Sequence, residues 1–314
     1  MSYIEIKNLT KRFNDNLALD NVSFNIEKGQ IFGLLGPNGA GKSTLINIMC
    51  GLLKGSNGDI LIDSNSVQKN SLKTKEYIGF VPQEIVLHQK LSLLDNLKYW
   101  GEMYGLKGKL LKERMEEALE LTGLKERKKD KVKTFSGGMK RRLNIACAIM
   151  HHPKILIMDE PTVGIDPQSR NHILEFTKKM NKEYGTTIIY TSHYMEEVEQ
   201  ICNDIAIIDM GNVIANGTKK EIKRLVSNEN NIEVVIEDFN ESVVLILKEI
   251  KGIKDCFYDE KNKTLNVVVI EDGYSMEDIM KELMNSKVKI KSISIIEPNL
   301  ESVFLSLTGK KLRD

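Results

Sequence analysis

The 314-residue sequence lacks the features that mark secreted, disulfide-linked or membrane-spanning proteins. Its four cysteines are scattered along the chain and form no Cys-x-x-Cys pair, which argues against a disulfide framework or a zinc site and fits a reducing cytosol. No apolar run approaches the ~18–20 residues that a membrane span needs, and the N-terminus has neither the cationic nor the apolar region of a signal peptide. We therefore expect a cytoplasmic chain that reaches a membrane only through a partner.

The sequence also lacks an excess of charge of one sign. It has 45 basic and 44 acidic residues, for a net charge of +1, whereas nucleic-acid binding usually shows as a strong basic excess. One basic run, over residues 125–133, is compatible with nucleic acid, but Glu126 and Asp130 interrupt it and favour a solvated turn. Hydrophobic residues make up 41% and charged residues 28%, an ordinary balance for a globular chain whose length suggests two domains.

A glycine-rich segment over residues 36–43, Gly-Pro-Asn-Gly-Ala-Gly-Lys-Ser, is the most informative pattern that is present. It follows an apolar, strand-like run over residues 31–35 and opens a helix-like segment at Thr44, which is the context of a phosphate-binding loop. Glycines let successive backbone N–H groups converge on one anion, and the helix directs its positive end at the same point. We expect Lys42 to reach the β- and γ-phosphates of ATP and the Ser43 hydroxyl to hold Mg²⁺. A glycine-rich turn without a ligand is the alternative.

The periodicity of the chain predicts an α/β domain followed by a smaller domain. Buried-strand runs alternate with helix-like segments over residues 1–226, which implies a parallel sheet, and residues from about 84–150 are interpreted as a helical insertion. A polar stretch near residues 227–231 predicts the domain boundary, and the order β-α-β-β-α-β over residues 230–314 predicts a small α+β, ferredoxin-like domain. Within the insertion, one helix is predicted to bury a face made of Leu110, Met115, Ala118, Leu119 and Leu121.

Two further segments carry groups that suit nucleotide chemistry. The apolar run over residues 155–158 ends in Asp159 and Glu160, and ligands of a parallel α/β sheet lie at the carboxyl ends of its strands. Asp159 is therefore placed to bind Mg²⁺ and Glu160 to polarise the attacking water, although a pair of exposed acids in a turn is the alternative. The second segment, Ser-Gly-Gly at residues 136–138, precedes a helix and offers either a second anion-binding N-terminus or a simple helix cap.

The phosphate loop, the Ser-Gly-Gly segment and the Asp-Glu strand end occur in the order and spacing of ATP-binding cassette (ABC) ATPases, and the whole chain resembles that family. The resemblance implies a P-loop NTPase core, with a mixed sheet and a helical subdomain, that hydrolyses ATP with Mg²⁺. By the same resemblance, Gln83 looks like the glutamine-loop ligand of magnesium and water, and His193 like the switch histidine that contacts the γ-phosphate. Asp166 resembles the dimer-contact aspartate, and Phe13 stands where the family places an aromatic ring on adenine.

The residues that these arguments assign to the site form three groups. The catalytic group is Glu160, His193 and Gln83, and the metal-binding group is Ser43, Gln83 and Asp159. The nucleotide-binding group is Phe13, Gly36, Pro37, Asn38, Gly39, Ala40, Gly41, Lys42, Ser43, Thr44, Ser136, Gly137, Gly138 and Asp166.

The Ser-Gly-Gly signature departs from the common family pattern at both of its ends, where Phe135 and Met139 replace Leu and Gln. Neither position supplies the glycine N–H groups or the Ser136 hydroxyl, so we expect the segment to keep its role. The resemblance implies that this segment covers the nucleotide of a second cassette. Two subunits, identical or closely paralogous, would then clamp two ATP molecules and open after hydrolysis.

Residues 91–106 and the ending over residues 297–309 resemble the corresponding parts of drug- and lipid-type exporter ATPases. That resemblance implies an exporter ATPase subunit, peripheral on the inner face of the cell membrane through a separately encoded integral-membrane permease. The alternative is a soluble or regulatory ABC ATPase that acts on ribosomes or DNA without a permease. The second phosphate loop, heptad run or zinc hook typical of such proteins is missing, so we expect no nucleic-acid partner. For the second domain, dimer contact and a regulatory or permease-docking role both stay open.

Overall fold

A computed structural model describes residues 2–225, 229–260, 262–270, 273–286, 288–296 and 299–309, which divide into two compact units. The first unit runs through Lys219 and also takes in the segment that starts at Leu307, and the second comprises Lys220–Ser306. The predicted boundary near residues 227–231 lies partly outside the described residues, as do Glu297 and Pro298 of the exporter-like ending. Among the helices of the described ranges, none combines the length and the apolar character that a membrane crossing needs.

The first unit contains both strands and helices. In chain order they are β1 (Ser2–Phe13), β2 (Asn16–Glu27), β3 (Ile31–Leu35), α1 (Lys42–Met49), β4 (Asn57–Ile62), β5 (Asn65–Ser66), α2 (Ser71–Lys75), β6 (Ile78–Val81), α3 (Leu93–Met103), α4 (Gly108–Leu121), α5 (Gly137–Ala148), β7 (Ile155–Met158), α6 (Pro167–Tyr184), β8 (Thr187–Tyr190), α7 (Met195–Ile201), β9 (Asp204–Asp209) and β10 (Asn212–Thr218).

A six-stranded mixed sheet, in the order β10-β9-β3-β8-β7-β6, forms the centre of this unit. Strands β9, β3, β8, β7 and β6 run parallel, and β10 pairs antiparallel with β9, which confirms the predicted α/β core. Every residue of β3, β7 and β8 is buried, as expected for strands that are apolar along their length and covered on both faces. Because parallel strands end at one edge, the segments that follow β3, β6, β7 and β8 meet there. A second sheet, β2-β1-β4-β5, is antiparallel and shares a hydrophobic core with α1.

The helical insertion contains α3, α4 and α5. Helix α3 begins at a capping box, in which the Ser92 hydroxyl accepts a hydrogen bond from the Asp95 N–H at 3.1 Å. In α4, the buried residues are Leu111, Ala118 and Leu119. The prediction for Leu110 was wrong, since its side chain is 46% exposed. The apolar stripe of this helix starts one residue later, because positions i, i+4, i+7 and i+8 counted from Leu111 share one face.

Beyond β10 the chain continues with α8 (Lys219–Arg224), β11 (Glu229–Ile236), α9 (Glu241–Lys248), β12 (Ile253–Asp259), β13 (Thr264–Ile270), α10 (Met276–Asn285), β14 (Ile290–Ile296) and α11 (Leu300–Thr308). Strands β12-β13-β11-β14 form a fully antiparallel sheet in that order. With α9 and α10 as the connections, this is the ferredoxin-like arrangement that the sequence predicts. The core of this sheet and its two helices includes Ile232, Val234, Val243, Leu247, Leu265, Val267, Ile279 and Leu283.

Candidate nucleotide-binding site

The glycine-rich loop leaves β3 and ends at the first turn of α1, as predicted from the sequence. A Cβ at Gly36 would lie 2.2 Å from the Ile208 carbonyl oxygen, and one at Gly41 would lie 2.6 Å from the Ala18 carbonyl oxygen. Gly41 also has a φ of +108°, which L-residues rarely adopt. Glycine is therefore required at both positions by close backbone packing. Within the described part of the chain no side chain caps the N-terminus of α1, so its N–H groups are the donors at this end of the loop.

Lys42 lies inside the loop that precedes it. Its side chain is only 6% exposed, and Nζ donates hydrogen bonds to the carbonyl oxygens of Gly36 at 2.7 Å and Pro37 at 3.1 Å. Burial lowers the pKa of the Lys42 ammonium, although the nearby carboxylates of Glu160 and Asp159 oppose that shift. The Lys42 ammonium therefore lies close enough to both carboxylates to interact with them electrostatically.

Asp159 and Glu160 follow β7 and are both buried, with 7% and 6% of their surface exposed. The reading of these residues as exposed turn acids is therefore wrong. The pKa of Asp159 is raised, mainly by burial, while a 2.8 Å hydrogen bond from the Thr191 hydroxyl acts to lower it. Thr191 also accepts a hydrogen bond from the Glu160 N–H at 2.8 Å, so one buried hydroxyl fixes both acids. Thr191 is not among the predicted site residues, although its place two residues before His193 is a usable signal.

The three side chains predicted to be catalytic meet at the Glu160 carboxylate. His193 Nε2 lies 2.7 Å from Oε1, and Gln83 Nε2 donates to Oε2 at 2.8 Å. Burial acts to raise the pKa of Glu160, but the bond to His193 and the charges of His193 and Lys42 outweigh it, so the pKa lies below its usual value. Glu160 has a φ of +49°, a strained conformation for a non-glycine residue that is often associated with functional sites.

A cleft of about 520 Å³ connects several of these groups with Phe13. It is lined by Phe13, Asn16, Leu17, Ala18, residues 38–44, Gln83, Glu160, Met210 and Gly211. Phe13 is 42% exposed, and its ring lies 4.7 Å from the Lys11 ammonium. The predicted site residues do not include the β1–β2 turn, Met210 or Gly211, because the approach of these residues to the loop depends on the packing of separate strands.

The Ser-Gly-Gly segment and Asp166 form a second structural group. Ser136 caps α5 by accepting a hydrogen bond from the Met139 N–H at 3.3 Å, and Asp166 caps α6 by accepting one from the Ser169 N–H at 2.9 Å. The hydrogen bonds from Ser169 lower the pKa of Asp166. The described lining of the cleft includes neither this segment nor Asp166. The two helix ends instead lie side by side, since a Cβ at Gly138 would be 2.1 Å from the Ser169 hydroxyl oxygen.

Arg141 connects the helix that follows this segment to the Gln83 loop. Its side chain is 4% exposed; Nη1 donates to the Pro82 carbonyl oxygen at 2.6 Å, and Nη2 donates to that of Gln83. Burial lowers the pKa of the guanidinium. The planar fork of arginine suits two adjacent carbonyls, so α5 holds the backbone of the residue whose side chain bonds Glu160. A single sequence gives no signal for this contact.

A phosphate loop after a central parallel strand, with a buried Asp-Glu pair after a second strand of the same sheet, defines a P-loop nucleotide-binding protein. Comparison with protein families is more specific: the model described as ABC transporter matches residues 19–163, and that of the ATP-binding protein DrrA1-3-like, C-terminal domain, matches residues 217–308. The chain belongs to the ABC transporter family, and it is an ATPase of the ABC type that binds ATP.

Similarity to individual proteins extends over nearly the whole chain. The linearmycin resistance ATP-binding protein LnrL of Bacillus subtilis (strain 168) is 44% identical over 311 residues, which cover 99% of this chain and 100% of that protein. The Nod factor export ATP-binding protein I of Cupriavidus metallidurans is 33% identical over 311 residues, covering 99% of each. Among solved structures, the dimeric post-hydrolysis state of the ATP-binding cassette MJ0796, bound to ADP and Pi, matches with a TM-score of 0.63 and 28% identity, covering 68% of this chain and 98% of that one.

Proposed function

We propose that this protein is the ATP-hydrolysing subunit of an ABC exporter, cytoplasmic and attached to the inner face of the membrane by a separately encoded permease. The names of its relatives support export: one is a linearmycin resistance protein and another a Nod factor export protein, each similar over 99% of this chain. The match of residues 217–308 to the DrrA1-3-like C-terminal domain supports the same subfamily.

The observation that carries the catalytic part of the proposal is the position of Glu160 between Gln83 and His193, beside the phosphate loop. A carboxylate with a lowered pKa stays ionised at neutral pH and can accept a proton from an attacking water. Gln83 and His193 would hold that carboxylate and the water in line with the γ-phosphate, and Lys42 would stabilise the negative charge that develops there. Phe13 would stack on the adenine at the other end of the cleft.

Residues 36–44 would bind the phosphates of ATP through backbone N–H groups and the N-terminus of α1. The residues proposed to hold Mg²⁺, Ser43, Gln83 and Asp159, offer the oxygen donors that suit this hard cation. Mg²⁺ is commonly bound in proteins by one or two carboxylates together with substrate phosphates, and Asp159 would be the carboxylate here. When bound, Mg²⁺ would neutralise charge on the β- and γ-phosphates.

A second subunit, identical or a close paralogue, would complete the site. The Ser136 hydroxyl accepts a backbone hydrogen bond and still has its own hydrogen to donate to a phosphate oxygen of the partner's ATP. The N–H groups of Gly137 and Gly138 lie at the same helix N-terminus, and Asp166 packs beside it, where it would face the partner. The dimeric state of the MJ0796 cassette with ADP and Pi supports this assembly.

Glu160→Gln tests the catalytic assignment. The amide keeps the size of the side chain but cannot accept a proton, so we expect steady-state turnover to fall by about 10²–10⁴-fold while ATP binding is retained. Size-exclusion chromatography with ATP should show a stabilised dimer. Glu84→Gln, the same change at an exposed neighbour of Gln83, is the matched control. Normal turnover by Glu160→Gln would exclude Glu160 as the proton acceptor.

Membrane association tests the exporter assignment independently. The native protein should sediment with membranes and co-purify with a multi-span partner. A protein that never does so, but retains ATPase activity, would instead be a soluble or regulatory ABC ATPase.

A further inference from the structure

One buried carboxylate close to the proposed catalytic residues is not among them. Glu197, on α7, is 3% exposed, and a single oxygen of its side chain accepts three hydroxyl hydrogen bonds. Oε2 lies 2.8 Å from the Thr162 hydroxyl, 2.9 Å from that of Tyr190 and 2.6 Å from that of Ser192. A buried charge with this many directed donors is fixed in one orientation.

The other carboxylate oxygen faces a cation. Glu197 Oε1 lies 3.3 Å from Arg170 Nε as an ion pair, although the two are not aligned as a hydrogen bond. The Arg170 guanidinium in turn lies over the Tyr194 ring, 4.0 Å from its centroid. Glu197 therefore uses one oxygen for hydroxyl donors and the other for a guanidinium.

Each partner of Glu197 is a close neighbour in sequence of a proposed site residue. Ser192 directly precedes His193, and its hydroxyl also accepts a hydrogen bond from the Tyr194 N–H at 2.9 Å, so the backbone is fixed on both sides of the histidine. Thr162 follows Glu160 by two residues, and Arg170 lies on α6, the helix that Asp166 caps. The segments that carry these three site residues thus converge on one carboxylate.

We propose that Glu197 is a positioning residue for ATP hydrolysis: through Ser192, it holds the His193 ring in its 2.7 Å contact with the Glu160 carboxylate. This inference rests on the catalytic roles proposed for Glu160 and His193. Glu197 reaches His193 only through Ser192 in the hydrogen bonds described above, and it is not among the residues that line the cleft.

The Glu197→Gln variant is a sharp test because its side chain has the same shape but a different donor pattern. A carboxylate only accepts hydrogen bonds, whereas an amide has one acceptor oxygen and a donor NH₂ group. If the amide oxygen faces the three hydroxyls, the NH₂ group faces Arg170, which has no acceptor to offer. In the flipped orientation the NH₂ group faces the three hydroxyls, which lose their shared acceptor, and its two hydrogens can serve at most two of them. Glutamine therefore cannot satisfy both sides of the site in either orientation. Glu196→Gln, the same substitution at the exposed preceding position of α7, is the matched control.

The experiment uses the full-length chain and three measurements: ATP turnover, ATP affinity, and the ¹³C–¹H spectrum of the imidazole rings. The chain has five histidines, and His193→Ala identifies the His193 signal. For Glu197→Gln we expect kcat to fall between about tenfold and about a hundredfold, the size of effect that a small misplacement of a catalytic group produces. ATP affinity should change less than about twofold, since the phosphate loop is untouched. The His193 signal should shift or broaden, while those of the other histidines stay in place.

Ser192→Ala removes the link itself and completes a double-mutant cycle. If Glu197 acts through Ser192, the double variant should be no slower than the slower single variant, whereas independent effects would multiply. A folded Glu197→Gln protein with near-normal kcat and an unmoved His193 signal would overturn the proposal. If Glu197→Gln does not fold, the same two results for Ser192→Ala would overturn it. Failure of the proposed function itself is recognised separately, because Glu160→Gln would then turn over ATP normally.

Discussion

Gly138→Ala probes the contact between the N-terminal ends of α5 and α6. A Cβ at this position would lie 2.1 Å from the Ser169 hydroxyl oxygen, 2.5 Å from the Ser169 Cβ and 3.0 Å from Asp166 Oδ2. Contacts this short force the two helix ends apart, and an extra methyl group in tight packing typically costs about 1–3 kcal/mol. We expect the free energy of unfolding to fall by about that amount relative to a matched variant.

Gly137→Ala is that matched variant. It adds the same methyl group one residue earlier in the same helix, where the nearest atom outside its immediate neighbours, the Gly164 carbonyl oxygen, would be 3.9 Å from the new Cβ. Both substitutions restrict the unfolded chain similarly, so the difference between them isolates the contact with α6. For a unit of this size, the difference corresponds to about 2–12 °C in Tm.

Calorimetry of the full-length variants without nucleotide measures this difference. Ser169→Gly in the Gly138→Ala background removes both Ser169 atoms that the new methyl group meets, so it should restore part of the lost Tm. Equal Tm values for Gly138→Ala and Gly137→Ala would refute the conclusion that the two helix ends require a glycine at 138.

Two further predictions concern His151 and Arg141, which both follow the Ser-Gly-Gly segment in the chain. His151 stacks on Tyr104 with ring centroids 3.8 Å apart, and burial lowers its pKa to about 4. The imidazole is protonated near pH 6.5 in the unfolded chain but only near pH 4 in the folded chain. As pH falls through that window, the free energy of unfolding of the wild type should therefore decrease by up to about 3 kcal/mol relative to that of His151→Phe. If the difference in unfolding free energy between the two proteins, measured with urea, did not change with pH, this prediction would be contradicted. Arg141→Lys keeps the charge but loses the fork that bonds the Pro82 and Gln83 carbonyls, so we expect about 1–3 kcal/mol lower stability and slower ATP turnover. Wild-type values in urea unfolding and in the ATPase assay would show that the fork is dispensable.

The sequence was sufficient for the features that depend on local pattern. The continuous apolar runs of β3, β7 and β8 predicted buried parallel strands, and the glycines after β3 predicted a phosphate loop. The order of strands and helices beyond residue 230 predicted the ferredoxin-like topology, because short connections leave few ways to pair four strands.

Features that depend on distant contacts were not predictable. Glu197 and Arg141 look like ordinary helix residues until folding brings Thr162 and Pro82 beside them. The error at Leu110 has another origin: a shift of one residue in the start of a helical stripe changes which leucine is buried, and α4 offers two adjacent leucines.

The strand order of the central sheet has a consequence for how the protein is made. Strand β8 lies between β3, which leads into the phosphate loop, and β7, which leads into Asp159 and Glu160. During synthesis, the loop and the acids both precede Thr187–Tyr190, yet they have no shared sheet until this strand inserts between them. Pairing across such a sequence separation is slow, so the nascent chain must wait for a four-residue strand before its nucleotide site exists.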